Sequence, residues 1–259
     1  MAAATSLKVP VLMYHEIADV TTTPSALAVA PETFADQLAY LRDAGFTAVT
    51  AGALVKALAG GAGALPARPV VLTFDDGFRD FYSRALPLLK QYGHTATLFQ
   101  TTGWVGIKLG TRPMLNWPEL SEIAEAGIEI GAHSHEHPEL DRLSAAKLRD
   151  ELDGPKRTLE DKLGLAVPGL AYPFGLWSGK ARRAAREAGY THALAIGNAM
   201  AKSGSDPFIL PRLTVDQTTT MEQFSDIVNG QESLTRRLDR ARCKAFSAVR
   251  RAKVGLRIS

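Results

Sequence analysis

Residues 69–77 read Pro-Val-Val-Leu-Thr-Phe-Asp-Asp-Gly. Apolar and β-branched side chains run from Val70 to Phe74 and end in two adjacent aspartates and a glycine. A short apolar run of this kind predicts a buried strand. Asp75 and Asp76 then sit at the strand's C-terminal end, where parallel α/β folds carry their chemistry. Neighbouring side chains on a strand point to opposite faces. A turn begun at Gly77 releases that alternation and lets both carboxylates face one pocket. Two like charges so close are costly unless a cation or a shared proton offsets them. The pair therefore asks for a metal ion and for further ligands elsewhere.

Those ligands stand one half-domain later. Ile128 to Gly131 reads as another buried strand, followed by His133-Ser134-His135-Glu136-His137. Three of the chain's six histidines fall within these five residues. His133 and His137, four apart, can converge on one ion. With one aspartate they make three protein ligands and leave a position for water, the pattern of a catalytic rather than a structural site. The other aspartate is free to act as a base. Residue chemistry alone does not say which aspartate does which. Asp-Gly is also a common turn pair, and histidines often follow strands at a surface. The meeting of two independent ligand sets argues against both plain readings.

Outward from these two strands, the chain alternates. Lys8–His15 reads as a first strand, and 18–30 as a loop. Pro31 opens a helix on Phe34, Leu38 and Leu41 that Gly45 ends. Strands are expected at 46–49, 95–99, 167–172, 191–196 and 208–210. Helices are expected at 51–58, 78–92 (kinked at Pro87), 118–126, 180–188 and 221–228. Ser144 caps another that reaches Leu163, interrupted near Gly154-Pro155. The glycine-containing loop 101–115 is the expected rim of a substrate groove. Such alternation predicts a parallel sheet, and about seven units would close it into a barrel with its site at the strands' C-terminal ends. The expected domain covers 8–228, between a short extension (1–7) and a tail (229–259).

Thr73-Phe-Asp-Asp-Gly77, followed by His133-Ser-x-x-His137, resembles the first two motifs of the polysaccharide deacetylase family, the NodB-homology or carbohydrate esterase 4 domain. The likeness spans about residues 8–228. It implies a single-domain α/β fold, a distorted (β/α)7-type barrel. It also implies a metal-dependent hydrolase that removes acetyl groups from N-acetylated amino sugars in a polysaccharide or glycan. By the same resemblance, Asp76, His133 and His137 are the metal ligands and Asp75 is the general base. His135 falls on a variable position and is taken as a non-ligand. Ala171-Tyr-Pro-Phe-Gly175 aligns with a motif that usually supplies an arginine and a tyrosine. The arginine is absent here, and Arg212 is the candidate to replace it. The backbone amide of Phe174 can serve an oxyanion hole, which needs no particular side chain. Most members carry the acid histidine near the C-terminus, but no histidine follows His192. Leu12-Met-Tyr-His15 resembles instead a permuted subgroup with its acid in the first strand, which makes His15 the candidate acid. Trp117 is read either as core or, by the resemblance, as a wall of the groove beside it, and Tyr172 either as a substrate contact or as packing.

A chain of 259 residues, 46% apolar, is long enough to bury a barrel core. One cysteine, Cys243, excludes an internal disulfide and a cysteine zinc cluster. No charged-then-apolar leader opens the sequence, so a cytoplasmic location is expected. The net charge of +3 is uneven. Residues 231–259 hold nine Lys or Arg and two acids, +7, which leaves −4 for the rest and no case for a nucleic-acid partner. Within 234–258 apolar residues recur at helical spacing between arginines. This basic amphipathic pattern suits a helix packed on the barrel, an anionic membrane surface or a partner protein. The expected cofactor is one divalent ion, zinc first, with cobalt or nickel compatible with the same donors. Two other functions fit the sequence less well: an amide or ester hydrolase for a non-sugar substrate, and a non-catalytic glycan-binding module.

Overall fold

The computed structural model describes residues 7–23, 25–60 and 65–231, together with Ala241 and Ala245. Apart from those two alanines, the basic segment 234–258 lies outside the described residues. Seven parallel strands form the barrel and are numbered here in chain order. They are β1 (Val11–Tyr14), β2 (Pro69–Phe74), β3 (Thr97–Gln100), β4 (Glu129–Ala132), β5 (Gly169–Ala171), β6 (His192–Ile196) and β7 (Leu210–Thr214). Each pairs with its neighbours in sequence. β1 closes the ring, with Val11 opposite Val71 on one side and Leu12 opposite Leu213 on the other. A two-residue strand, Thr47–Ala48, extends the start of β2 from outside.

Alternation along the strands makes two apolar layers. One face of the strands carries Leu12, Leu72, Leu98, Ile130, Leu170, Ala193 and Leu213, which pack with the helices. The opposite face carries Val11, Val71, Phe99, Ala171, Leu194 and Leu210, a separate cluster that fills the barrel. Phe99 needs room there. A Cβ on Gly131 would lie 2.4 Å from its ring, and one on Gly169 would lie 2.6 Å from the His192 ring. Two glycines on adjacent strands thus admit the large side chains.

The helices are α1 (Pro31–Asp43), α2 (Ala51–Gly60), α3 (Leu86–Tyr92), α4 (Trp117–Glu125), α5 (Ala145–Leu163), α6 (Gly179–Glu187) and α7 (Met221–Asn229). None is long and apolar enough to cross a membrane among the described residues. Three local expectations need correction. α5 runs unbroken through Pro155. Proline removes one helical hydrogen bond, and the Tyr190 hydroxyl donates to the Leu152 carbonyl in that same turn. The kink expected at Pro87 is instead a wide π turn, Phe81–Ala85, just before it. The last strand begins two residues later than expected and extends to Thr214, through Pro211. That shift carries Arg212 into the barrel.

Candidate active site

Val71, Thr73 and Asp75 share one parity on β2, so Asp75 follows the inward series and is 2% exposed. Asp76 should then point outward. It does not, because its backbone is left-handed at φ 74°, a conformation that aspartate tolerates better than most residues. Gly77 follows at φ 89°, and a Cβ there would fall 2.0 Å from the Gln100 side chain. The chain doubles back, and both carboxylates reach one pocket.

Asp75 is fixed by Arg212, whose side chain is fully buried. Nη1 donates to Oδ1 at 2.6 Å and Nη2 to Oδ2 at 2.8 Å, while Nη1 also reaches the Thr73 hydroxyl at 3.3 Å. This two-pronged match is the strongest common ion-pair geometry. Arg212 reaches Asp75 from β7, the contact expected of a substitute for the arginine absent at Ala171. Burial alone would raise the Asp75 pKa; the Arg212 guanidinium, helped by His133, more than reverses this and holds it far below the usual carboxylate range.

The histidine turn meets the aspartate turn. His133 Nε2 lies 3.3 Å from Asp76 Oδ1, and His137 Nε2 lies 3.4 Å from the same oxygen. His133 Nδ1–H donates to the Ala171 carbonyl at 2.8 Å, which turns Nε2 to the pocket. Burial would lower the ring's pKa, but Asp75 and Asp76 raise it above its ordinary value, so Nε2 carries a proton that a bound cation would replace. Burial and the neighbouring His133 lower the His137 pKa to about 4, so its ring is neutral at pH 7. Asp76 is also held ionised: burial would raise its pKa, but His133 prevails. His15 stands at the end of β1, within electrostatic reach of Asp75, Asp76, Arg212 and His133. Its Nδ1 is buried without a hydrogen-bond partner, and burial lowers its pKa.

Asp76, His133 and His137 fit a divalent ion. Their donor atoms lie within 4.8 Å of one another, and Asp76 Oδ1 is buried with no hydrogen-bond partner. Ligands about 2.0–2.1 Å from a tetrahedral zinc stand ~3.4 Å apart, close to the two observed separations. Backbone strain marks the same place. Of the five non-glycine residues with positive φ among the described residues, Asp76, Ser134, His137 and Phe174 belong to this site. Such strain persists where surroundings enforce it.

A model of the family described as polysaccharide deacetylase matches residues 62–193, just over half of the chain. The chain belongs to the polysaccharide deacetylase family. It is 28% identical over 226 residues to the Bacillus subtilis protein YxkH, covering 87% of this chain and 77% of that one. It is 23% identical over 267 residues to the poly-β-1,6-N-acetyl-D-glucosamine N-deacetylase of Escherichia coli K12, covering 88% of this chain but only 39% of that longer protein. Among solved structures, the Streptococcus pyogenes deacetylase PplD in complex with acetate superposes with a TM-score of 0.79 at 26% identity, over 86% of this chain and 99% of that one. The seven-stranded barrel is therefore the family's fold.

Of the two readings open for Tyr172 and for Trp117, the structure places both residues in packing. Tyr172 is fully buried, and its hydroxyl donates to the Phe208 carbonyl at 3.1 Å. It is a core residue with a satisfied polar tip. Trp117 opens α4 behind the Asn116 cap and packs on the core outside the barrel. The tryptophan beside the candidate metal ligands is Trp104, with ring centroids 5.1 Å from His137. Phe174 stands on another side of that imidazole at 4.6 Å, and its side chain is 55% exposed. Trp104 lies in the very loop read as the groove rim. A tryptophan among glycines in such a loop has less core to join than one at a helix start, and that signal favoured it over Trp117.

Proposed function

We propose that this protein is a metal-dependent N-deacetylase that hydrolyses the acetamido group of amino-sugar residues in a glycan and releases acetate. The observation that carries this reading is one pocket holding two kinds of carboxylate. Asp76 is aimed at two imidazole nitrogens, and Asp75 is locked to a guanidinium beside it. A divalent ion on Asp76, His133 and His137, zinc by preference, would supply Lewis-acid polarisation of water and the acyl oxygen. Asp75 accepts the proton of the attacking water as the new C–O bond forms. Arg212 keeps that carboxylate ionised and aligned. The Phe174 N–H donates to the acyl oxygen as charge gathers on it. His15 donates a proton to nitrogen as the C–N bond breaks, the role of the family's acid histidine in the first-strand subgroup. Trp104 and Phe174 line the approach to His137. The E. coli relative's poly-N-acetylglucosamine substrate makes a β-linked N-acetylglucosamine polymer the first glycan to try.

The basic segment 234–258 is assigned to contact with an anionic membrane surface, supported by +7 in the last 29 residues against −4 elsewhere. Loss of the full chain's binding to phosphatidylserine vesicles at low salt would remove that assignment. The test of the function is acetate release from N-acetylated glycans after chelation and zinc return. Zinc-restored release is expected. A chain that takes up one ion and deacetylates no glycan would overturn the reading.

A further inference from the structure

His137 offers its nitrogen from a left-handed backbone, φ 61°, three residues after Ser134 at φ 63°. Neither residue is glycine, and such conformations cost about 1–3 kcal/mol each. The turn that carries them is held from several directions by groups remote from the donor atoms. From α5, the Glu151 carboxylate, 6% exposed, accepts two backbone N–H groups on one oxygen: His135 at 2.8 Å and Glu136 at 3.0 Å. The Ser134 hydroxyl accepts the His137 N–H at 3.0 Å. From the loop after β3, Thr102 N–H donates to the Ser134 carbonyl at 3.2 Å and Gly103 N–H to the His135 carbonyl at 2.9 Å. The Thr102 hydroxyl is hydrogen-bonded to His135 Nδ1 at 2.9 Å. A Cβ on Gly103 would sit 2.6 Å from the His135 carbonyl oxygen, so only glycine lets the two turns lie this close. This lacing sets Trp104 against the His137 ring, the planes tilted by 30°. It also gives His135 a task that is not metal binding.

We propose that Glu151 and Trp104 are positioning residues of the metal centre. Glu151 holds the strained backbone of the 133–137 turn, Trp104 holds the His137 ring, and together they present the third ligand before an ion arrives. The proposal rests on the metal-centre reading above. A preformed ligand spares the ion the cost of ordering it, and groups that orient ligands typically set metal affinity within about 10–100-fold.

Calorimetric titration of the chelator-stripped full chain with zinc, beside its melting temperature in chelator, tests this. Trp104→Ala and Glu151→Leu should each weaken zinc binding about 10–100-fold. Cobalt-loaded protein should show an altered visible spectrum in both. Trp104→Phe keeps a ring, and Glu151→Gln keeps one acceptor oxygen for both N–H groups, so each should restore affinity to near wild type. Trp104 is partly exposed, and its replacement leaves the core intact, so that variant decides the matter if Glu151→Leu does not fold. Unchanged zinc affinity in folded Trp104→Ala and Glu151→Leu chains would overturn the positioning role while sparing the metal centre. A wild-type chain that takes up no ion would instead overturn the metal-centre reading, and this proposal with it.

Discussion

The two ends of the barrel interior are built from the same strands and obey opposite rules. The lower end holds Val11, Val71, Phe99, Leu194 and Leu210 in contact, with Gly131 and Gly169 making space for the largest ring. Four residues beyond Val71 and two beyond Leu210 the same inward face carries Asp75 and Arg212, both buried and locked to each other. The lower end gains free energy from every apolar group it hides, roughly 25 cal/mol per Å². The upper end loses solvation of two charges, and their attraction does little more than offset that loss. Its left-handed Asp76, Ser134, His137 and Phe174 add backbone strain. Fold stability and chemistry are thus separated along these two strands by only two to four residues, and the lower end carries the thermodynamic cost of the upper.

If that division is right, single changes at the upper end should cut activity far more than they help or harm packing. Asp75→Asn should lower kcat by about 10²–10⁴-fold, the usual worth of a positioned base. It also leaves Arg212 buried without its counter-charge, which costs about 3–5 kcal/mol. A paired change, Asp75→Leu with Arg212→Met, removes the charge at both ends. It should abolish turnover yet bring stability back to wild type or above it. Acetate release and denaturant unfolding of the same three proteins separate the two effects. Retained activity in the paired variant would end the assignment of Asp75 as base. A paired variant clearly less stable than wild type would end the claim that the ion pair is a cost.

The converse change belongs at the lower end. Leu194→Ala removes a fully buried side chain from the inner cluster. It should cost about 2–5 kcal/mol while leaving kcat within a factor of a few, measured well below the melting temperature. A loss of kcat as large as that of Asp75→Asn would show that the two ends are coupled.

One titratable group complicates the apolar end. His192 on β6 is fully buried beside Gly169, and burial lowers its pKa from 6.5 to about 4. Between those values the unfolded chain binds a proton that the folded chain refuses, so acid favours unfolding. The contribution of His192 is fully present above pH 6.5 and is lost as pH falls toward 4, by up to about 1.4 kcal/mol per unit. His15, His94 and His137 are shifted in the same direction. Replacing His192→Gln should therefore flatten, without abolishing, the acid limb of stability between pH 6.5 and 5, followed by urea unfolding of metal-free protein. An acid limb unchanged in slope would place the titration elsewhere.

Much of this was legible in the sequence, and the limits have physical causes. Apolar runs ending in Asp75-Asp76 and at His133 gave strands with chemistry at their tips, and the barrel followed from alternation. Which way Asp76 faces was not legible, because it depends on a φ of 74° that no pattern encodes. Arg212 was suspected but not placed. Pro211 made the last strand look finished four residues too soon, although a proline can sit in a ladder where its nitrogen is not needed. Trp104 was passed over for Trp117, although its place among glycines in the rim loop set it apart from a tryptophan at a helix start. Glu151 looked like any helix acid, since nothing near it in sequence reveals that its carboxylate meets a turn sixteen residues away.

Tyr172 gives the finest test, because it lies where the two ends meet. It precedes the Pro173–Gly175 turn that carries Phe174, and a tyrosine next to a catalytic turn invites a role in substrate binding. The structure gives it another. Its ring is buried outside the barrel, and its hydroxyl serves the Phe208 carbonyl. Burial pushes its pKa well above the ordinary tyrosine value, so it stays a neutral donor throughout. Tyr172→Phe keeps the ring and leaves that carbonyl unpaired, which should cost about 1–3 kcal/mol of stability. Because Pro173 and the Phe174 backbone are held by the chain rather than by the hydroxyl, KM and kcat should both stay within twofold. A raised KM with unchanged melting temperature would return Tyr172 to the substrate site. A lowered melting temperature with unchanged kinetics would confirm that the packed face of the fold reaches to within two residues of Phe174.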